Sequence, residues 1–177
     1  MAIYSLFAEI LDYPERSIAK SLDDCAAELA VQAPDAHLEM VEFCTAVSEM
    51  NLSQLQEVYT NAFDLRPECT PNLGYHIFGD DGRRGLFLAR LKERMEACHI
   101  QLGVELPDHI ALILRYLDLA EDDRPPVIED CLLPAVSRMV EVLDHSGNPY
   151  EHVLRALLSL LRRQHDAFAV SSLEVEA

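Results

Sequence analysis

The sequence predicts an all-α fold, a single-domain bundle of about eight helices. Apolar side chains recur every three to four residues along nearly all of the 177 residues, which is the spacing that places them on one face of a helix. Proline or glycine interrupts this pattern at intervals, as expected where helices begin and end. No part of the chain is predicted to form a strand, so short connections should join helices that pack around one core.

Four helices are predicted between the N-terminus and Phe63. Pro14 ends the first and can open the second, because proline fits the first turn of a helix but not its interior. Pro34 separates the second helix from the third. Ser53 and Gln56 have the S-x-x-Q spacing of a capping box, which predicts the start of the fourth helix.

The middle of the chain contains one loop and one turn. Residues 64–72 are a predicted loop, residues 73–78 a short helix and residues 79–82 a turn rich in glycine and aspartate. A long helix follows, and residues 83–94 hold five basic side chains and one acidic one. Gly103 is the expected C-terminal stop of this basic helix.

Further helices complete the predicted bundle. The apolar segment 127–145 contains Pro134, which should kink or split it. Residues 147–149, Gly-Asn-Pro, precede the last helix. The helical domain is therefore placed at residues 1–165, and residues 166–177 are expected to form a loose acidic tail.

Charge and composition exclude several classes of function. Against 31 acidic residues there are 14 Lys and Arg, a net charge of −17, which disfavours binding to nucleic acid or to anionic membranes. An acidic surface suits a basic partner such as an arginine-rich peptide; alternatively, the acidity only confers solubility. With no long apolar run and no secretory signal, the protein is expected in the cytoplasm, without membrane insertion.

No catalytic or metal-binding motif is recognisable. The five cysteines are widely spaced, which is typical of reduced thiols and not of a zinc site or a disulfide framework. No two histidines have the spacing that places metal ligands on one helical face, and the usual nucleophile and phosphate-binding motifs are absent. The sequence therefore predicts a protein that is not an enzyme and has no cofactor.

Two stretches are unusually rich in aromatic and polar residues. The first runs from Tyr59 to Gly85 and is either a connector with its aromatic residues in the core or a wall that grips a peptide. The second is Glu105-Leu106-Pro107-Asp108-His109. Its Asp108 is either the N-cap of the next helix, with His109 in the first turn, or a carboxylate that holds a ligand's arginine together with Glu105.

With these motifs the chain resembles the NarJ branch of the TorD/DmsD/NarJ family of redox-enzyme maturation chaperones, which includes nitrate reductase delta-subunit-like proteins. The residues that carry the resemblance are Ile10-Leu11-Asp12-Tyr13-Pro14, Tyr59, Phe63-Asp64, Tyr75-His76-Ile77-Phe78-Gly79-Asp80, Arg83-Arg84-Gly85, Glu105-Leu106-Pro107-Asp108-His109 and Ser146-Gly147-Asn148-Pro149-Tyr150. Glu105 to His109 is similar to the family's E-P-x-D-H signature, with the proline shifted by one position.

The resemblance implies a TorD-like helical chaperone that binds the N-terminal, twin-arginine-type leader of a molybdenum oxidoreductase catalytic subunit. Such a chaperone holds the apoenzyme while the molybdenum cofactor is inserted. It is expected to be a monomer or a weak dimer. The residues expected to bind the peptide are Tyr59, Phe63, Tyr75, His76, Phe78, Asp80, Arg84, Glu105, Asp108 and His109.

Two alternatives remain open from the sequence. One is a structural delta subunit that stays in the mature oxidoreductase complex. The other is a small helical enzyme that uses His76, Asp80 and His109. These motifs do not indicate which substrate is used by the client, that is, by the oxidoreductase that the chaperone helps to assemble.

Overall fold

The computed structural model describes residues 2–79 and 81–175, with the side chains of residues 169 and 171–175 left out. Helices connected by short loops and 3₁₀ turns account for most of this part of the chain, and no β-strand occurs in it, which confirms the predicted all-α fold. The helices are α1 Ile3–Ile10, α2 Ala19–Gln32, α3 Pro34–Val47, α4 Leu52–Phe63, α5 Leu73–Phe78, α6 Arg83–Ala97, α7 Ile110–Leu119, α8 Arg124–Val127, α9 Leu133–Leu143 and α10 Tyr150–Val175.

The core is built around two helices that are apolar on most of their surface. Six of the eight residues of α1 and seven of the ten residues of α7 are buried, and the two helices pack on each other. Helix α10 packs on α3 and α9, while α2 bridges α1 and α3. A helix that is hydrophobic nearly all round must be enclosed by neighbours, so α1 and α7 lie inside the bundle.

The start of α4 differs from the prediction. The capping box consists of Asn51 and Gln54: the Asn51 side chain accepts a hydrogen bond from the Gln54 amide at 3.1 Å, and the Gln54 side chain accepts one from the Asn51 amide at 3.0 Å. The predicted Ser53–Gln56 box is wrong. Asparagine is at least as good an N-cap as serine, and Asn51 has glutamine at the same spacing, so the helix begins earlier.

Pro134 lies beside a change of helix type within the predicted helix 127–145. A π-helical turn at Ile128–Leu132 follows α8, and α9 begins with Pro134 in its first turn. Proline is tolerated there because the first amides of a helix have no partner within it. The backbone nevertheless stays helical from Arg124 to Leu143, so Pro134 changes the hydrogen-bond pattern at this point and does not separate two helices.

Pro14 does not open the second helix as predicted: α1 ends at Ile10 and α2 begins at Ala19, so Pro14 lies in the segment that connects them. Two further helix ends also fall elsewhere than predicted. Helix α6 ends at Ala97, and His99, with φ of 60°, follows in the left-handed conformation. Gly103 also has a positive φ but lies within the loop 98–109 and not at the helix end. Helix α10 continues through Val175, so most of the segment predicted as a tail is helical, and the domain boundary at residue 165 stays a prediction.

Within residues 2–79 and 81–175, no helix is both long enough and apolar enough to cross a bilayer.

Candidate functional site

Two adjoining cavities form a groove beside the loop 98–109. The first, called here the aromatic cavity, has a volume of about 630 Å³ and is lined by Asp12, Tyr13, Tyr59, Phe63, Asp64, Pro67, Thr70, Pro71, Asn72, Tyr75, Glu105 and His109. The second, called here the loop cavity, has a volume of about 830 Å³ and is lined by residues of α1, of the segment 12–24, of the loop 101–105 and of α7, together with His109. The groove therefore joins segments that are far apart in sequence.

The floor of the aromatic cavity is a cluster of packed rings. Tyr59 and Phe63 lie one turn apart on α4, both are buried, and their ring centroids are 4.8 Å apart. The ring of Tyr13 meets that of Tyr59 edge-on at 5.5 Å. The sequence left open whether these aromatic residues belong to the core or form a wall that faces a ligand. Tyr59 and Phe63 are buried in the core and also line the cavity.

Two tyrosines are exposed at the edge of this cavity. Tyr13 is 45% exposed and Tyr75 is 36% exposed. A tyrosine with an apolar body and a polar tip suits a surface that contacts a ligand. Tyr13 and Tyr75 are therefore the aromatic side chains of this cavity that are accessible from solvent.

The aromatic cavity has a one-sided charge. The carboxylates of Asp12, Asp64 and Glu105 line it, and no lysine or arginine is among its described lining residues. Asp12 forms an ion pair with Arg115 at 2.7 Å, and Asp64 accepts a hydrogen bond from Thr60 at 3.0 Å. Aromatic rings and carboxylates both attract cations, so the cavity suits a basic side chain.

His109 lies between the two cavities and caps α7. Its Nδ1 accepts a hydrogen bond from the amide of Ala111 at 3.3 Å, so the proton of the neutral ring is on Nε2. Burial lowers the pKa of His109, and the nearby carboxylates of Glu105 and Asp12 oppose that effect. The predicted N-cap at Asp108 is wrong by one residue, because His109 supplies the capping atom.

Asp108 has a different task, which is to hold α5 and α6 in place. Its side chain is fully buried, and its carboxylate accepts hydrogen bonds from the Asn72 side chain and the Gly74 amide, each at 3.1 Å. The guanidinium of Arg84 donates two more to it, from Nε at 3.1 Å and from a terminal nitrogen at 3.0 Å. A ligand's arginine could reach this carboxylate only by displacing Arg84.

Backbone hydrogen bonds reinforce the same junction. The amide of Leu73 donates to the carbonyl of Asp108 at 2.8 Å, and the amide of Ile110 donates to the carbonyl of Pro71 at 2.8 Å. A Cβ at position 74 would lie 2.6 Å from a carboxylate oxygen of Asp108, so only glycine lets the start of α5 come this close. The junction thereby sets the position of Asn72 and Tyr75 in the cavity wall.

His76 and Phe78 lie outside the groove. His76 is buried and donates from Nε2 to the carbonyl of Thr70 at 2.7 Å; burial lowers its pKa. Phe78 packs on Phe87 with ring centroids 5.3 Å apart. Asp80 lies outside the described residues.

Five of the ten predicted residues thus line the aromatic cavity, namely Tyr59, Phe63, Tyr75, Glu105 and His109. Sequence reasoning did not include Asp12, Tyr13 and Asp64 among the binding residues. All three belong to the segments that carry the family resemblance, and this was the sequence feature that could have identified them as residues of the cavity. A role of any of these residues in peptide binding stays a prediction.

The loop cavity has an apolar floor and a mixed rim. It shares Asp12, Tyr13, Glu105 and His109 with the aromatic cavity, so the two cavities lie side by side. Val104, at the rim, is 98% exposed. Residues 99–106 alternate polar and apolar side chains, a pattern that indicates a non-helical segment and marks this loop in the sequence.

Comparison with known proteins relates the chain to nitrate reductase maturation. A family model described as "Nitrate reductase delta subunit" matches residues 26–164. The nitrate reductase molybdenum cofactor assembly chaperone NarJ of Escherichia coli K12 is 24% identical over 172 residues, which cover 94% of this chain and 72% of NarJ. The probable nitrate reductase molybdenum cofactor assembly chaperone NarW of the same organism is 24% identical over 161 residues, covering 90% of this chain and 68% of NarW.

Proposed function

Because the chain belongs to the nitrate reductase delta subunit family, we propose that it is an assembly chaperone for the catalytic subunit of a molybdenum oxidoreductase. The resemblance to NarJ-type proteins drawn from sequence motifs is confirmed by the family match and by the relatives. Both relatives are named as assembly chaperones, and this supports a maturation role without catalysis.

The ligand in this proposal is the N-terminal leader of the catalytic subunit. A twin-arginine-type leader is basic near its start and apolar further on. The observation that carries the proposal is the aromatic cavity, which combines exposed Tyr13 and Tyr75 with three carboxylates and has no lysine or arginine among its described lining residues. Rings and carboxylates together complement a basic side chain.

We expect the affinity of the chaperone for the leader to be moderate. A leader that is disordered when free must be ordered on binding, which costs several kcal/mol of the gross interaction energy. Moderate affinity suits a cytoplasmic chaperone, acting as a monomer or weak dimer, that holds the apoenzyme until the molybdenum cofactor has been inserted. The cofactor in this scheme is the cargo of the client and is not bound as a resident group.

Calorimetric titration with a leader peptide from the same organism tests the proposal. Binding should weaken at high salt because exposed charges are screened over about 8 Å at physiological ionic strength, while the apolar contribution should persist. A scrambled peptide of the same composition is the control. Absence of binding at both salt concentrations, or equal binding of the scrambled peptide, contradicts leader recognition.

The family description makes a retained delta subunit the second candidate. A retained subunit would co-purify with the active oxidoreductase in a fixed ratio, whereas a chaperone would be found with the cofactor-free client and be lost from the mature enzyme. Purification of the client before and after cofactor insertion distinguishes the two.

A further inference from the structure

We propose that the groove has a direction: the N-terminal end of the bound segment lies in the aromatic cavity, and the apolar residues that follow lie in the loop cavity. This inference rests on the proposed function, since it concerns how the same segment is held. It specifies which end of the client contacts which part of the chaperone.

The first argument is the difference in charge between the two cavities. The aromatic cavity is lined by carboxylates and by no described lysine or arginine. The loop cavity has acidic residues too, but Arg16, Lys20 and Arg115 are among its lining residues. Five acidic residues, Glu9, Asp12, Glu15, Asp24 and Glu105, also line the loop cavity, so it does not repel cations. Basic residues near the start of a leader, and its α-amino group, are nevertheless favoured more strongly in the aromatic cavity, where no described cation competes for the carboxylates.

The second argument is the distribution of apolar surface. Leu6, Ile18 and Leu112 are buried residues that form the floor of the loop cavity, and Val104 lies exposed at its rim. An apolar stretch placed there would bury its own side chains and cover Val104. The apolar part of the segment therefore fits this cavity once the basic part occupies the neighbouring one.

The third argument applies if the segment binds as a helix. The N-terminus of a helix has a partial positive charge and the C-terminus a partial negative charge. In the proposed direction the positive end faces Asp64, the carboxylate that lines only the aromatic cavity, and the negative end faces the side where Arg16 and Lys20 lie. The helix dipole and the charged side chains thus favour the same orientation.

Photo-crosslinking measures the direction. Two versions of the leader peptide are made, with a benzoylphenylalanine at the N-terminal or at the C-terminal end, and the attachment sites on the full chain are mapped by mass spectrometry. The N-terminal label should attach within residues 64–75, and the C-terminal label within residues 15–18 or 101–104. The opposite pattern, or the same sites for both labels, overturns the proposed direction.

A double-mutant cycle tests the charge argument independently. Asp64 lines only the aromatic cavity, so Asp64→Asn should weaken binding about threefold, as expected for an exposed ion pair. The effect should vanish for a peptide whose N-terminal arginines are replaced by glutamine. Glu57→Gln is the matched control, because Glu57 is exposed on α4, the helix that ends just before Asp64, and lines neither cavity.

The outcomes separate this inference from the proposed function. If neither labelled peptide binds, leader recognition fails and the direction with it. If the peptides bind but crosslink in the reverse order, or if Asp64 and the arginines do not couple, leader recognition stands and the direction is wrong.

Discussion

Arg84 on α6 and Asp108 before α7 form a two-pronged ion pair across 24 residues of sequence, with donor–acceptor distances of 3.1 and 3.0 Å. The Asp108 side chain is fully buried and that of Arg84 is largely so. The same carboxylate oxygen accepts a hydrogen bond from the Gly74 amide. A single buried carboxylate thereby connects α5, α6 and the start of α7.

We expect Asp108→Asn to destabilise the fold. The change leaves the guanidinium of Arg84 without its countercharge, and breaking a buried ion pair on one side costs about 3–5 kcal/mol. Urea denaturation should report the loss in the free energy of unfolding. Asp81→Asn is the control, because Asp81 pairs with Arg83 at the surface and should matter little. Unchanged stability of Asp108→Asn would show that the pair contributes nothing.

Replacing Gly74 by alanine should also destabilise the junction. The added Cβ would lie 2.6 Å from Asp108, and the side chains of Phe87 and Arg84 are within 3.3 Å, so overpacking should cost about 1–3 kcal/mol. Gly85→Ala is the matched control within α6, where nothing lies within 4 Å of the new Cβ. The free energy of unfolding of Gly85→Ala should rise by about 0.5–1 kcal/mol. Thermal melts of the two variants, compared with the original chain, measure both effects.

Tyr75→Ala should weaken binding of the leader peptide by about 1–2 kcal/mol, the effect expected for an exposed aromatic anchor. The melting temperature should change little, because Tyr75 is not part of the core. Leu86→Ala, at a residue that is 56% exposed on α6 and outside both cavities, should leave binding unchanged. Equal affinities of the Tyr75 and Leu86 variants in calorimetry would exclude Tyr75 from the binding surface.

Stability should fall as the pH falls below about 6.5. Burial lowers the pKa of His76 and His109 below the ordinary histidine value of 6.5. In that window the unfolded chain binds more protons than the folded one, so protonation favours unfolding. Urea denaturation at pH 7.5 and at lower pH values measures the slope.

A double variant isolates the histidine contribution to this slope. His76→Gln retains a donor for the Thr70 carbonyl, and His109→Asn retains a side-chain acceptor at the N-cap. Neither new side chain titrates, so the slope below pH 6.5 should be reduced. A slope identical to that of the original chain would assign the pH dependence to other groups.

Local sequence patterns were sufficient to predict the fold class and the approximate positions of the helices, but not most of their exact boundaries. Apolar periodicity places α1 and α7 in the core, and Pro34 and Pro134 stand where helices begin. Where two local signals of similar strength compete, prediction is less exact. Asparagine and serine stabilise a helix N-terminus by similar amounts. The surrounding structure therefore decides whether α4 is capped by Asn51 or by Ser53.

The candidate site was predictable only in part. Tyr59 and Phe63 are four residues apart on one helix, so their meeting in the cavity floor follows from helical geometry. The sequence motif around Asp108 indicates importance, but the same residues are compatible with a cap, a ligand contact or a buried anchor. What excluded the cap at Asp108 was the position of His109 at the start of α7.

The sequence by itself therefore determined the helices and the excess of negative charge, because both depend on neighbouring residues or on composition. Only the tertiary structure decided which carboxylates face the groove. Asp108 is turned inward because Asn72, Gly74 and Arg84, which lie 24 to 36 residues away, supply four hydrogen bonds that offset the cost of burying its charge. Asp12, Asp64 and Glu105 line one cavity because the segment that follows α1 packs on α4 and the loop 98–109 lies beside both.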